Sequence, residues 1–311
     1  MTQFDNFQSQ TERPLLSKIL ILVGLTFVFM TIGSIIALVL FSSMTGMPYT
    51  QVAEFSKHLN EYQNMYDGVM ALQTFSTPIP FIAASLFYWY YIEKQTVHTL
   101  SFHEAKPLDF VLVGLLVIGF MGFDALIIEM NQNMKFPDSW KDVEKVMKDS
   151  EDATAELTKF LTNFHSLSQL IVALVVVAVL AGVSEELLFR GVLQNIVLKA
   201  TKNPHVAIWF TAFTFSFIHF QFFGFVPRML LGALFGYLYF WTKNLWIPMF
   251  AHIVNNGFTL IMAYLSDMKM VNVDIEDTKS VPLSMALGSL VVTILLLRWF
   301  WMNRVSEVDK V

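Results

Sequence analysis

Three short segments carry the residue types that chemistry needs: SEELLFRG (184–191), FSFIHF (215–220) and HIVNNG (252–257). Each contains a four-residue step, Glu186 to Arg190, Phe215 to His219 and His252 to Asn256, and on a helix that step places both residues on one face. Glu186 precedes Arg190, the favourable order for a helical ion pair, and the two read as an orienting clamp. With a turn at Asn203 and Pro204, Glu185 lies nineteen residues before Pro204 and His219 fifteen after it. At about 1.5 Å per residue they fall within about 6 Å of each other in depth across an antiparallel hairpin. A carboxylate facing a neutral imidazole holds and deprotonates a water, and Glu185 with His219 is that pair. His252 and Asn256 offer donors for a developing oxyanion, each worth about 3 kcal/mol in comparable sites. His252 lies only four residues past Pro248. It meets Glu185 if the 200–204 turn projects about 15 Å beyond the 243–248 turn, which sets the site toward that end of the bundle.

The chain has no cysteine, and neither Ser184 nor Ser216 sits in a nucleophile motif. The expected chemistry is hydrolysis of an amide or ester by an activated water, without a covalent intermediate. Two His and one Glu equal the ligand count of a catalytic zinc site, while the HExxH spacing is absent. That leaves zinc open and no cofactor required.

EELLFR, FSFIH and HIVNN resemble the EExxxR, FxxxH and HxxxN motifs of the CAAX protease and bacteriocin-processing family of intramembrane proteases. The resemblance covers about residues 180–260, in the family's order. It implies a helical membrane bundle in which Glu185 is the catalytic glutamate, helped by His219. His252 and Asn256 would then stabilise the oxyanion, with Glu186 and Arg190 in support. Some relatives act as membrane regulators without proteolysis, so a non-catalytic scaffold is the alternative reading.

These residues need helices to hold them, and the composition says where those helices lie. Hydrophobic residues make up 55% of the 311 and charged residues 14%, against roughly 25% charged in a soluble domain. Eight apolar runs are long enough to be read as spans, at about 16–43, 75–92, 110–130, 167–200, 204–222, 228–242, 246–265 and 282–302. The fold class expected is all-α: a polytopic transmembrane bundle with an amphipathic extramembrane helical segment at 132–166. There Leu157, Phe160, Leu161 and Phe164 recur at helical spacing. Residues 1–165 read as N-terminal transmembrane helices with that amphipathic loop, and 166–311 as the catalytic core with a final span.

Basic turns such as KATKNPH (199–205) read as cytoplasmic, placing both termini inside a bacterial plasma (inner) membrane. The expected partners are the lipid bilayer and a peptide or protein substrate. A net charge of -5 offers no basic face for nucleic acid. Asp124 and Glu129 are the other acids inside a span, read as hydrogen-bonded and snorkelling side chains, and Asn255 reads as interhelical hydrogen-bond glue. Gly232 and Gly236 read as a packing face for a neighbouring helix.

Overall fold

In a computed structural model the chain is described for residues 13–59, 61–96, 104–134, 136–271 and 281–304. The extreme termini, whose sidedness the sequence assigns, lie outside the described residues. Among the described residues twelve α-helices follow in order: α1 Leu15–Thr45, α2 Met65–Ser76, α3 Pro78–Phe87, α4 Pro107–Gln132, α5 Lys141–Thr162, α6 Leu167–Ala173, α7 Ala181–Glu186, α8 Asn195–Thr201, α9 Pro204–Phe217, α10 Phe225–Thr242, α11 Trp246–Asp267 and α12 Leu283–Arg304. All eight apolar runs fall on helices, and no strand interrupts the described residues. This is an all-α polytopic membrane protein. Five continuous stretches are long and apolar enough to cross a bilayer: Leu15–Thr45, Met65–Ile92, Pro107–Gln132, Leu167–Thr201 and Leu283–Arg304. Between them α9 is short, and α10 and α11 carry polar side chains inward.

The stretch Leu167–Thr201 is one long rod in which two π-helical segments, Leu174–Leu180 and Leu187–Gln194, separate α6, α7 and α8. A π segment widens the backbone and turns side chains out of α-helical phase. Both flank the glutamates at 185 and 186. The rod ends where the sequence asks it to. Lys202 takes the left-handed conformation (φ 56°), the Asn203 side chain accepts from the backbone N–H groups of His205 and Val206, and Pro204 occupies the first turn of α9. Helix α9 therefore folds back against α8 and α10.

The small residues of α10 set how closely it approaches. A Cβ at Gly232 would sit 3.3 Å from Ala212 of α9, and one at Gly236 would sit 2.9 Å from Ile208. The packing face expected of these glycines is used within the chain. Three larger apolar clusters surround the polar centre, gathered around Trp89 and Phe215, around Phe41 and Phe164, and around Leu116 and Phe235. Long apolar side chains elsewhere on α1, α4 and α12 stay exposed, as lipid-facing surfaces do.

Helix α5 is the amphipathic segment expected at 132–166. Leu161 and Phe164 are buried and Leu157 and Phe160 half-buried, while its charged face is open. The backbone N–H of Phe164 donates to Asp267 at the end of α11, 3.0 Å away, tying this segment to the core.

Candidate active site

Helix α7 and the π segment after it deliver Glu185, Glu186 and Arg190; the end of α9 delivers His219; α11 delivers His252 and Asn256. All six side chains converge, in two layers. Glu186 and Arg190 are fully buried and His252 is 4% exposed. Glu185, His219 and Asn256 instead line a cavity of about 680 Å³, within the range of roughly 300–1,000 Å³ that small-molecule pockets occupy.

The buried layer is a network centred on one oxygen. Arg190 Nη1 donates to Glu186 Oε1 at 2.7 Å, and His252 Nδ1 lies 2.8 Å from the same oxygen. A carboxylate oxygen accepts, so the proton of this bond sits on Nδ1. Arg190 Nη2 donates to the carbonyl of Gly232 at 2.7 Å, and Gln194, one turn on, reaches the carbonyl of Gly236 at 3.1 Å. The missing side chains at 232 and 236 give both polar groups access to backbone oxygen. The guanidinium also lies over Phe215 (5.1 Å) and Phe235 (5.7 Å). Phe215 stands edge-on to both His219 and His252, which explains an aromatic residue four positions before the histidine.

Glu185 and His219 line the same cavity, as expected from spacing, while the contacts of His252 differ from that expectation. The imidazole beside Glu185 is His252, whose Nε2 faces Glu185 Oε2 at 3.7 Å, and no hydrogen bond joins Glu185 to His219. The pair His252 and Asn256 does not form one cavity wall: Asn256 lines it, while His252 is held behind Glu185. Depth counting along straight helices gave the right neighbourhood, but it could not see the change of phase that the π segments introduce.

His219 Nδ1 lies 2.7 Å from the carbonyl oxygen of Phe215. A carbonyl only accepts, so Nδ1 is the protonated nitrogen and Nε2 keeps its lone pair. Asn256 Nδ2 donates to the carbonyl of Val177 at 2.9 Å, and its Oδ1 accepts from Asn255 at 3.1 Å. Asn255 thus acts as the hydrogen-bonding support expected of it. Ser184 and Ser216 are occupied with backbone carbonyls, of Ala181 and Phe225.

Two residues lining this cavity, Gln221 and Arg228, escaped the sequence reading. Arg228, in the first turn of α10, lines it, and its Nη2 donates to Gln221. Asp124 and Glu151 lie within electrostatic reach of Arg228, as does Glu185. Asp124 Oδ1 is buried without a hydrogen-bond partner, contrary to the bonded reading expected for it. The signal for Arg228 was present as the one charge in GFVPRMLLG, but it was read as the boundary of a span. Helix α5 covers the cavity through Thr154, Leu157, Thr158 and Leu161.

Among the described residues no group of three His, Asp or Glu is placed to hold a metal ion together. Of the three ligand types counted from sequence, His252 is turned to Glu186 through Nδ1 and lies in the buried layer.

A family model described as "Type II CAAX prenyl endopeptidase Rce1-like" matches residues 167–258, the stretch holding all six side chains. The chain is 32% identical over 85 residues to "Uncharacterized protein YpbD" of Bacillus subtilis, covering 26% of this chain and 40% of that one. It is 30% identical over 95 residues to "Membrane-embedded CAAX protease MroQ" of Staphylococcus aureus, covering 29% of this chain and 38% of the relative. The chain thus matches about two fifths of the length of these curated relatives. No solved structure matches it. Over residues 167–258, the stretch that carries the three motifs, the chain is similar to CAAX proteases.

Proposed function

We propose that this protein is an intramembrane endopeptidase in which Glu185 activates a water against a peptide bond. The observation that carries the reading is the presence of Glu185, His219 and Asn256 in one cavity lining, beside a buried network whose His252 Nε2 faces Glu185 at 3.7 Å.

The water sits between the Glu185 carboxylate and the lone pair of His219 Nε2. Its oxygen forms a bond to the scissile carbonyl carbon as Glu185 takes one proton, and the carbonyl π electrons move to oxygen. The second N–H of Asn256 donates to that oxyanion. Collapse re-forms the carbonyl and breaks the C–N bond, and the proton held by Glu185 passes to the leaving amine. His252, Glu186 and Arg190 act as positioning residues, holding Glu185 within reach of the water. This assigns His252 a place behind the reaction, where spacing alone had made it an oxyanion donor.

The substrate is a membrane-associated peptide or protein, entering the cavity beneath α5. With both termini cytoplasmic, α5 lies on the outer face of a bacterial plasma membrane, so the cavity opens away from the 200–204 turn toward which depth counting had set the site. The test is cleavage of a peptide library in detergent by wild type and Glu185→Gln, read by mass spectrometry with and without a metal chelator. Cleavage by wild type alone, insensitive to chelator, is expected. Activity that chelator abolishes and zinc restores would contradict the water-and-glutamate account; cleavage by neither protein would favour the non-catalytic regulator.

A further inference from the structure

The reaction proposed above places negative charge on an oxygen, and the cavity is short of donors to meet it. His219 presents a lone pair. Asn256 already spends one N–H on Val177. His252 lies in the buried layer with Nδ1 committed to Glu186. Arg228 alone on this wall carries a permanent positive charge, and its guanidinium is incompletely used: Nη2 donates to Gln221, while Nη1 is buried and donates to nothing. An unmet donor at a buried atom of a charged group is costly, and a catalytic role is one reason native structures keep one.

The surroundings decide what that acceptor is. Three carboxylates, Glu151 from α5, Asp124 from α4 and Glu185 from α7, lie within electrostatic reach of this one cation. A ligand bringing a further fixed carboxylate would meet an excess of like charge. A neutral peptide carbonyl meets no such penalty, and it becomes anionic only as the water adds. The cation is thus matched to charge that appears during the reaction, the condition for raising rate and not merely affinity.

We infer that Arg228 is a further catalytic residue, donating through its guanidinium to the scissile carbonyl oxygen as the tetrahedral intermediate forms. This rests on the protease reading above. Gln221 is the positioning residue that anchors the other side of the guanidinium.

The experiment compares wild type, Arg228→Gln, Arg228→Lys and Glu185→Gln on the library peptide that wild type cleaves fastest, with melting temperature measured for each. Binding of that peptide's phosphinate analogue, a tetrahedral anion, is measured alongside binding of the parent peptide in a Glu185→Gln background. The expected result for Arg228→Gln is a kcat lower by about 10²–10³ with KM and melting temperature held. Phosphinate affinity should fall by a similar factor, parent-peptide affinity should stay, and Arg228→Lys should recover part of the rate. Unchanged kcat in Arg228→Gln, beside an inactive Glu185→Gln, overturns this inference and leaves the protease reading standing. A loss in KM confined to peptides with a free carboxylate overturns it in favour of substrate anchoring, and a fall in melting temperature that accounts for the lost activity overturns it in favour of a structural role. No cleavage by wild type removes both readings together.

Discussion

Nδ1 of His252 lies 2.8 Å from Oε1 of Glu186, a residue 66 positions earlier in the chain, and Arg190 donates to the same oxygen from the other side. One carboxylate therefore ties the long central rod to α11 and fixes which nitrogen of the imidazole carries its proton. The free face of His252 is left directed at Glu185.

That shared carboxylate makes stability unusually sensitive to removing one partner. Glu186→Ala leaves Arg190 as a fully buried cation, and its expected cost is about 3–5 kcal/mol. The double variant Glu186→Leu with Arg190→Met removes both charges and should recover much of that loss, while remaining inactive. Thermal unfolding in detergent checks both. Equal destabilisation by the single and double variants would contradict the network.

Close helix packing should control activity without touching a polar group. A Cβ at Gly182 would stand 3.2 Å from Ile253 Cγ1 and 3.4 Å from His252 Cβ. Gly182→Val must push α11 outward, and a displacement near 1 Å costs about 10²-fold in rate. The expected variant folds, with a modestly lower melting temperature, and loses at least that factor in kcat. Wild-type kcat in a folded Gly182→Val protein would show that the spacing of α7 and α11 does not govern the site.

Much of this was legible in the sequence, because its strongest signals are local. Apolar runs marked every helix that holds the site, and the Lys202, Asn203, Pro204 turn could be read from its capping residues. Four-residue steps gave the right faces for Glu186 with Arg190. What it did not show was the direct contacts between helices. Counting rise brought Glu185 and His219 to one cavity, but not the approach of His252 to Glu185, on a rod with π-helical turns on both sides of that glutamate. Arg228 was missed for a different reason: a charge at the edge of an apolar run looks like the end of a span, and only the fold turns that edge into a cavity wall.

The position of α5 makes a prediction about sidedness. The chain has no cysteine, so single cysteines report without background. Thr158→Cys on the cavity side of α5 should react with a membrane-impermeant maleimide added outside intact cells. Lys202→Cys, in the turn between α8 and α9, should react only after permeabilisation. The opposite pattern would reverse the orientation. A bound phosphinate peptide should slow labelling at position 158, because Thr158 lines the cavity that the peptide fills.

The central claim is that one carboxylate activates the water, and single-turnover cleavage by Glu185→Gln tests it most directly. The substitution keeps the shape of the side chain and removes its capacity to take a proton. The account predicts a rate lower than wild type by about 10²–10⁴ at an unchanged melting temperature. A folded Glu185→Gln protein cleaving at the wild-type rate would contradict it.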